Sequence, residues 1–181
     1  MSRKHSSQFY VYGFLHSPAY RATFADDLKK SLPRIPFVES AEDFWAFSRS
    51  GRELAALQLN YETVPPLPEV TVNGDRSNLH VKKMRFPAKD RKDTIRYNPR
   101  LSVSNIPPKA YDYIVNGKSA IEWVMERYQV KTDKASGITN DPNLYAQESG
   151  KPDYILNLLL SVIAVSVKTV EIVKTLPSLK F

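Results

Sequence analysis

Between Arg127 and Asn143 the chain sets Arg127, Gln129, Lys131, Thr132, Lys134, Ser136, Thr139, Asn140 and Asn143 within 17 residues. Guanidinium, ammonium, amide and hydroxyl groups are the side chains that reach base edges and phosphates in nucleic acids. Gly137 among them lets the backbone turn sharply or come close to a phosphate. A plain solvated loop has the same composition, so a second feature has to weigh in. From Arg76 to Arg100 there are nine basic residues against Asp90 and Asp93, an excess equal to the +7 of the whole chain. A field that local attracts polyanions, and nucleic acid is the commonest polyanion met by a basic protein. The alternative is a solvated sheet edge guarded by lysines.

Other chemistry finds little support. Asn116-Gly117-Lys118-Ser119 lacks the earlier glycine and the preceding strand of a phosphate-binding loop, and reads as a helix end followed by a new N-cap. His5, His16 and His80 stand at no metal-ligand spacing, and the absence of cysteine excludes disulfides and thiolate-bound zinc. Asp153, Glu171 and Lys174 contain the groups of a metal-dependent nuclease. On one helix, however, the two carboxylates stand about 27 Å apart, too far to share an ion. Asp26-Asp27 and Glu42-Asp43 suit exposed helix faces and caps. No nucleophile, base and orienting group can be nominated.

The elements that position these side chains follow from period and punctuation. Ser17-Pro18 predicts a helix start, with Tyr20, Phe24, Leu28 and Leu32 at helical spacing up to Pro33. A second helix is expected from near Ser40, with Gly51 marking close packing or a break. Val64 to Pro68 is a stiff proline-rich connector. Residues 69–73 and 79–86 read as strands joined by a hairpin at Asn73-Gly74, and 94–98 and 101–106 as two more, with 87–93 a charged loop. Short helices are expected at 111–115, ended by Gly117, and at 119–128. Residues 126–143 form a long loop, which in a compact domain is usually either functional or disordered. A long helix runs from beyond Pro152 to about Thr175, because Asn157, Ser161, Ala164, Lys168 and Glu171 recur every three or four residues.

At 181 residues, with 42% hydrophobic, 11% aromatic and 25% charged residues, the expectation is one soluble α+β domain over 1–181. Its N-terminal and C-terminal helices would pack with a small central antiparallel β-sheet. The N-terminus has no signal-peptide run, and the uncharged run 154–167, 14 residues long, falls short of the roughly 20 of a bilayer span. The expected location is the cytoplasm.

The stretches FYVYGFLHSPAYR (9–21), FWAFSRSGRELAALQLNYE (44–62), AYDYIVNGKSAIEWVMERYQVKTDKASGITNDPN (110–143) and YILNLLLSVIAVSVKTVEIVKTLP (154–177) resemble the C-terminal specificity domain of Type ISP restriction-modification enzymes. The likeness is most specific over 110–143. Over 62–109 it thins to KMRF (83–86) and the neighbourhoods of Tyr97-Asn98 and Ile106-Pro107.

This resemblance implies a prokaryotic polypeptide that also carries a nuclease, a helicase-like ATPase and an adenine methyltransferase, and that uses ATP, Mg²⁺ and S-adenosylmethionine. None of those cofactors belongs to this chain, where Asn98-Pro99-Arg100 departs at once from the Asn-Pro-Pro-Tyr methyltransferase motif. The implied role is non-catalytic: binding double-stranded DNA at one site and presenting its adenine to be flipped out of the stack. The alternative is a scaffold that docks on the methyltransferase and meets DNA only incidentally. Chemistry alone assigns the side chains. Lys82, Lys83, Arg85, Lys89, Arg91, Lys92 and Arg96 are the phosphate and groove candidates, and Arg127, Lys131, Lys134 and Asn140 are the loop candidates.

Overall fold

The computed structural model describes residues 3–179 and side chains from Ser6 onward, so the His5 side chain lies outside the described residues. The fold is α+β. Backbone contacts divide it into two compact units, one made of the chain up to Asn60 with the residues from Lys168 on, the other of Tyr61–Val167.

The first unit is helical. It contains α1 (Arg3–Leu15), α2 (Pro18–Thr23) and α3 (Ala41–Leu59). Helices α1 and α3 cross at two glycines. A Cβ on Gly13 would lie 2.2 Å from the Phe47 carbonyl oxygen, and one on Gly51 would lie 1.9 Å from that of Phe9. Close packing, and not a break, is therefore what Gly51 marks. Aromatic rings fill the space beside the crossing: Tyr10 stacks on Phe44 at 4.8 Å, and Phe14 meets Phe47 at 5.1 Å and Tyr20 at 4.9 Å. The extended 31–40 segment is held by tyrosine hydroxyls, Tyr10 donating to the Pro36 carbonyl at 2.6 Å and Tyr20 to that of Arg34 at 2.9 Å.

Ser17 caps α2 as its sequence predicts, but the helix stops at Thr23, well short of Pro33. Helix α1 is absent from the pattern-based expectation because its polar residues follow no helical stripe. Its stability comes from packing on α3, not from a local signal.

The second unit holds three small antiparallel sheets. In the largest, β3 (Leu101–Ser104) is flanked by β1 (Thr71–Gly74) and β2 (Ile95–Arg96). Inward-facing Ile95, Tyr97, Leu101 and Val103 are buried with Val81, Met84 and the apolar face of the helix beginning at Tyr154. The hairpin expected at Asn73-Gly74 does not form. Gly74 instead pairs with Leu101 inside the ladder, where a Cβ would sit 1.9 Å from the Arg100 carbonyl oxygen. Residues 79–86 are likewise not a strand, contributing only a bridge from Arg85 to Arg96.

The short helix expected at 111–115 is a 3₁₀ turn at Pro108–Tyr111 followed by β4 (Ile114–Val115) and β5 (Lys118–Ser119). The turn between these strands is Asn116-Gly117, both with positive φ, as a two-residue hairpin requires. Ser119 and Glu122 then close a reciprocal cap on α4 (Ala120–Arg127).

Helix α6 (Tyr154–Lys174) is long and apolar enough by length and composition to cross a membrane, but 72% of its most apolar window is buried within the protein. It is a core helix. Ser161, expected on its polar stripe, is buried and donates to the Val64 carbonyl at 2.8 Å, which fastens the proline-rich connector.

Candidate nucleic-acid interface

Residues 126–143 are not a loop without structure. Strands β6 (Lys131–Thr132) and β7 (Thr139–Asn140) pair as a hairpin, and α5 (Pro142–Glu148) follows. Asp133 organises the turn, its carboxylate accepting from the backbone N–H of Ala135 at 3.0 Å and of Ser136 at 2.8 Å, and from the Ser136 hydroxyl at 2.9 Å. These hydrogen bonds hold the Asp133 carboxyl below its ordinary pKa. Gly137 has a φ of +70°, and its N–H donates to the Asp133 carbonyl at 2.9 Å. Every residue from Lys131 to Asn140 is exposed. The signal for α5 was present in Asp141-Pro142, a capping residue followed by proline, and Asp141 does accept from the Asn143 N–H at 2.9 Å.

The base of this hairpin is fastened to the basic segment. The Val130 N–H donates to the Lys82 carbonyl at 2.9 Å. Asn143 accepts from the Val81 N–H and donates to the Val81 carbonyl, each at 2.9 Å. Asn143, counted above among groups free to touch DNA, is a buried clamp at 4% exposure. Lys131 and Asn140 face each other across the strands, and the hydroxyls of Thr132 and Thr139 meet at 2.8 Å on the other face. Lys134 stands in the turn.

Strict alternation would place Lys82 on the face opposite Lys83 and Arg85. The chain instead bends at Lys82, burying Val81 and Met84 and leaving Lys82, Lys83 and Arg85 all exposed. Arg85 and Arg96 exchange both backbone hydrogen bonds, at 3.0 and 2.8 Å, so their side chains leave the same face of the sheet side by side. Neither guanidinium has an acidic partner among the described residues.

The other candidates differ in how free they are. Lys89 is exposed in the turn after Ala88, and Arg91 pairs loosely with Asp93 at 3.8 Å. Lys92 is occupied. It donates to Glu122 at 2.9 Å and lies over the Phe86 and Tyr111 rings at 5.6 and 5.4 Å, a brace between the charged loop and α4. Burial alone would raise the Glu122 pKa, but hydrogen bonds from Ser119 and Lys92 outweigh it and hold the carboxyl below its ordinary value. Arg127, in the last turn of α4, rests over the Trp123 ring at 5.4 Å.

The exposed face of the main sheet also carries residues that pattern reading passed over. Thr71, Asn73, Ser102 and Ser104 share it with Arg96 and Arg85. Asn73 donates to Ser104 and, at 3.4 Å, to Thr71. The signal was the alternation of Leu101, Ser102, Val103 and Ser104, which has one apolar and one hydroxyl face. Among the described residues, no group of three His, Asp or Glu side chains could hold a metal ion.

Three solved structures are similar over nearly the whole chain. A nuclease-deletion mutant of the Type ISP restriction-modification enzyme LlaGI, in complex with a DNA substrate mimic, is 50% identical over 96% of this chain with a TM-score of 0.88. The ATP-dependent Type ISP restriction-modification enzyme LlaBIII, bound to DNA, is 48% identical over 99% with a TM-score of 0.89. The DrdV–DNA complex is 30% identical over 98% with a TM-score of 0.80. This chain spans 14%, 11% and 18% of the length of those three chains, respectively. No curated protein matches it. The model of the Type ISP C-terminal specificity domain matches residues 4–158, which take in the basic segment, the sheet face and the hairpin alike. The chain belongs to the Type ISP C-terminal specificity domain family.

Proposed function

We propose that this chain is the DNA target-recognition module of a longer restriction-modification polypeptide. A duplex lies across the surface made by residues 82–96 and the 131–140 hairpin. The observation that carries this reading is the hydrogen bond from the Val130 N–H to the Lys82 carbonyl. It joins residues 48 positions apart in the chain and so brings the two cationic stretches to one place. The DNA in the LlaGI, LlaBIII and DrdV structures supports the choice of polyanion.

The module does no covalent chemistry of its own. Cleavage, translocation and methylation, with their ATP, Mg²⁺ and S-adenosylmethionine, fall to other parts of the polypeptide, and this chain orients the site so that its adenine meets the methyltransferase. Such an enzyme works where the DNA is, in the prokaryotic cytoplasm. The candidates divide by freedom. Lys82, Lys83, Lys89, Lys131 and Lys134 are exposed cations that form no salt bridge among the described residues, and they hold phosphates. Lys92 serves the fold through Glu122. Asn140, opposite Lys131, sets the register of the hairpin on the backbone.

The test is the salt dependence of duplex binding by the complete polypeptide. With six to ten phosphates held, affinity falls about 10³–10⁵-fold between 50 and 200 mM salt, and replacing one phosphate-holding lysine lowers the logarithmic slope by about one. A scaffold that met DNA only incidentally would show a flat response, and its lysine variants would bind like the parent.

A further inference from the structure

Four residues stand in line across the exposed sheet face. Asn73 on β1 is opposite Ser102 on β3, Ser102 is opposite Arg96 on β2, and Arg96 is opposite Arg85. Residues directly opposite one another project from the same face, so all four side chains leave the sheet in one transverse row. Like charges directly opposed across strands are destabilising, and no carboxylate among the described residues forms a salt bridge with either arginine. The fold tolerates this pair at a cost, which an electron-rich ligand would remove.

The rest of the row indicates which ligand. Within the row the two arginines stand beside a serine and an asparagine, with Thr71 and Ser104 flanking; Lys83 lies two residues before Arg85, and Arg100, two residues before Ser102, is paired with Asp75 at 3.7 Å. A phosphate grip would gather further cations. Hydroxyls and an amide in line with two forked guanidiniums are a set for base edges, where arginine takes guanine O6 and N7 in a bidentate contact. The Asn73 amide nitrogen is already committed to Thr71 and Ser104, which leaves its carbonyl oxygen to accept from a base amino group, on adenine or cytosine.

Dimensions agree with this use. Four-residue strands such as β1 and β3 are about 13 Å long, so they rest across the mouth of a major groove about 12 Å wide while the long side chains of the row reach into it. The row then runs along the groove. At about 4.8 Å between strands, Asn73 and Arg85 are about 14 Å apart, roughly four steps of the 3.4 Å helical rise.

We infer that the row Asn73–Ser102–Arg96–Arg85 is the base-reading element of this module, with Arg85 and Arg96 specifying guanines one or two base pairs apart and Asn73 specifying an amino-bearing base about four pairs from Arg85. This rests on the duplex-binding reading above and assigns sequence discrimination to the sheet face, leaving the loop lysines to hold phosphates.

The experiment selects duplexes from a randomised DNA pool with the complete polypeptide and with its R85Q, R96Q, R96K, N73A and K131A variants. The parent is expected to return one motif. R85Q and R96Q should each lose their preference at a single position by about 5–150-fold, the fold-change equivalent to about 1–3 kcal/mol for a bidentate contact. R96K should retain non-specific affinity yet not recover that guanine, and K131A should weaken every sequence alike. The affected positions should follow the order of the row. If R85Q and R96Q weaken all duplexes equally and leave the motif intact, the arginines grip phosphate and the inference is overturned while duplex binding stands. If the parent recovers no duplex from the pool, the duplex-binding reading fails and takes the inference with it; if it retains duplex but returns no motif, duplex binding stands and the inference is overturned.

Discussion

The exposed face of the three-stranded sheet and the 131–140 hairpin are both cationic surfaces, but they are supported differently. Arg96 on β2 and Arg85, bridged to it, have inward neighbours, Met84, Ile95 and Tyr97, that are 3% exposed or less. The hairpin has no buried residue between Lys131 and Asn140 and is held by its own turn at one end and by Val81 and Lys82 at the other. Geometry held by a core suits discrimination between bases, which fails when a contact moves by an ångström. Geometry held by a turn suits phosphates, which accept a cation from many directions. On the proposed assignment, rigidity is placed where sequence has to be read.

That contrast can be broken from either side. The largest effect is expected from Asn143→Ala, which leaves the buried N–H and carbonyl of Val81 unpaired and detaches the base of the hairpin. Stability should fall by about 2–5 kcal/mol, read from urea denaturation. Gly74→Ala attacks the other surface. Its new Cβ collides with the Arg100 carbonyl at a φ of +113°, so β1 must shift against β3. The expected cost is about 1–3 kcal/mol, and a competition assay between cognate and scrambled duplex should show discrimination lost and non-specific binding kept.

Removing Lys131 and Lys134 together should reverse that pattern. Affinity should drop for all sequences, and the salt slope should fall by about two, with the motif unchanged. Asp133→Ala is milder. It removes the carboxylate that caps Ala135 and Ser136, and faster amide exchange at Ser136 and Gly137 would report the loosened turn.

The smallest effect concerns the Lys92–Glu122 brace. Because the Glu122 carboxyl is depressed in the folded chain, its contribution is complete above its unfolded value of about 4.3 and is lost as pH falls through the lower folded value. Partly exposed as the pair is, that contribution is below about 1 kcal/mol, and Glu122→Gln should flatten the acid limb of a stability-versus-pH curve by no more than that.

What could be read from sequence is shown by two identical dipeptides. Asn73-Gly74 and Asn116-Gly117 carry the same hairpin signal, and only the second makes a hairpin. At 73–74 the glycine is needed because β1 pairs with a strand that begins 27 residues on, at Leu101, and the Arg100 carbonyl lies against it. No local pattern encodes that pairing. Elements with a cap, such as α3 and α4, or with a long helical period, such as α6, were legible. Helix α1 was not, since two glycines and a ring of aromatics give it its partner. For the proposed site, charge singled out the two stretches, but charge cannot distinguish Lys92, which is spent on Glu122, from Lys82, which has no ion-pair partner among the described residues. Nor could it find Asn73 and Ser102, which become neighbours of Arg96 only through strand register.

The central claim is that the basic segment and the hairpin form one DNA-facing surface, and the most direct measurement is chemical acetylation of lysines in the complete polypeptide with and without its cognate duplex. Lys82, Lys83, Lys131 and Lys134 should lose reactivity together as duplex is added, with one midpoint. Protection of Lys82 and Lys83 while Lys131 and Lys134 react at their free rate under saturating duplex, or the converse, would contradict the account.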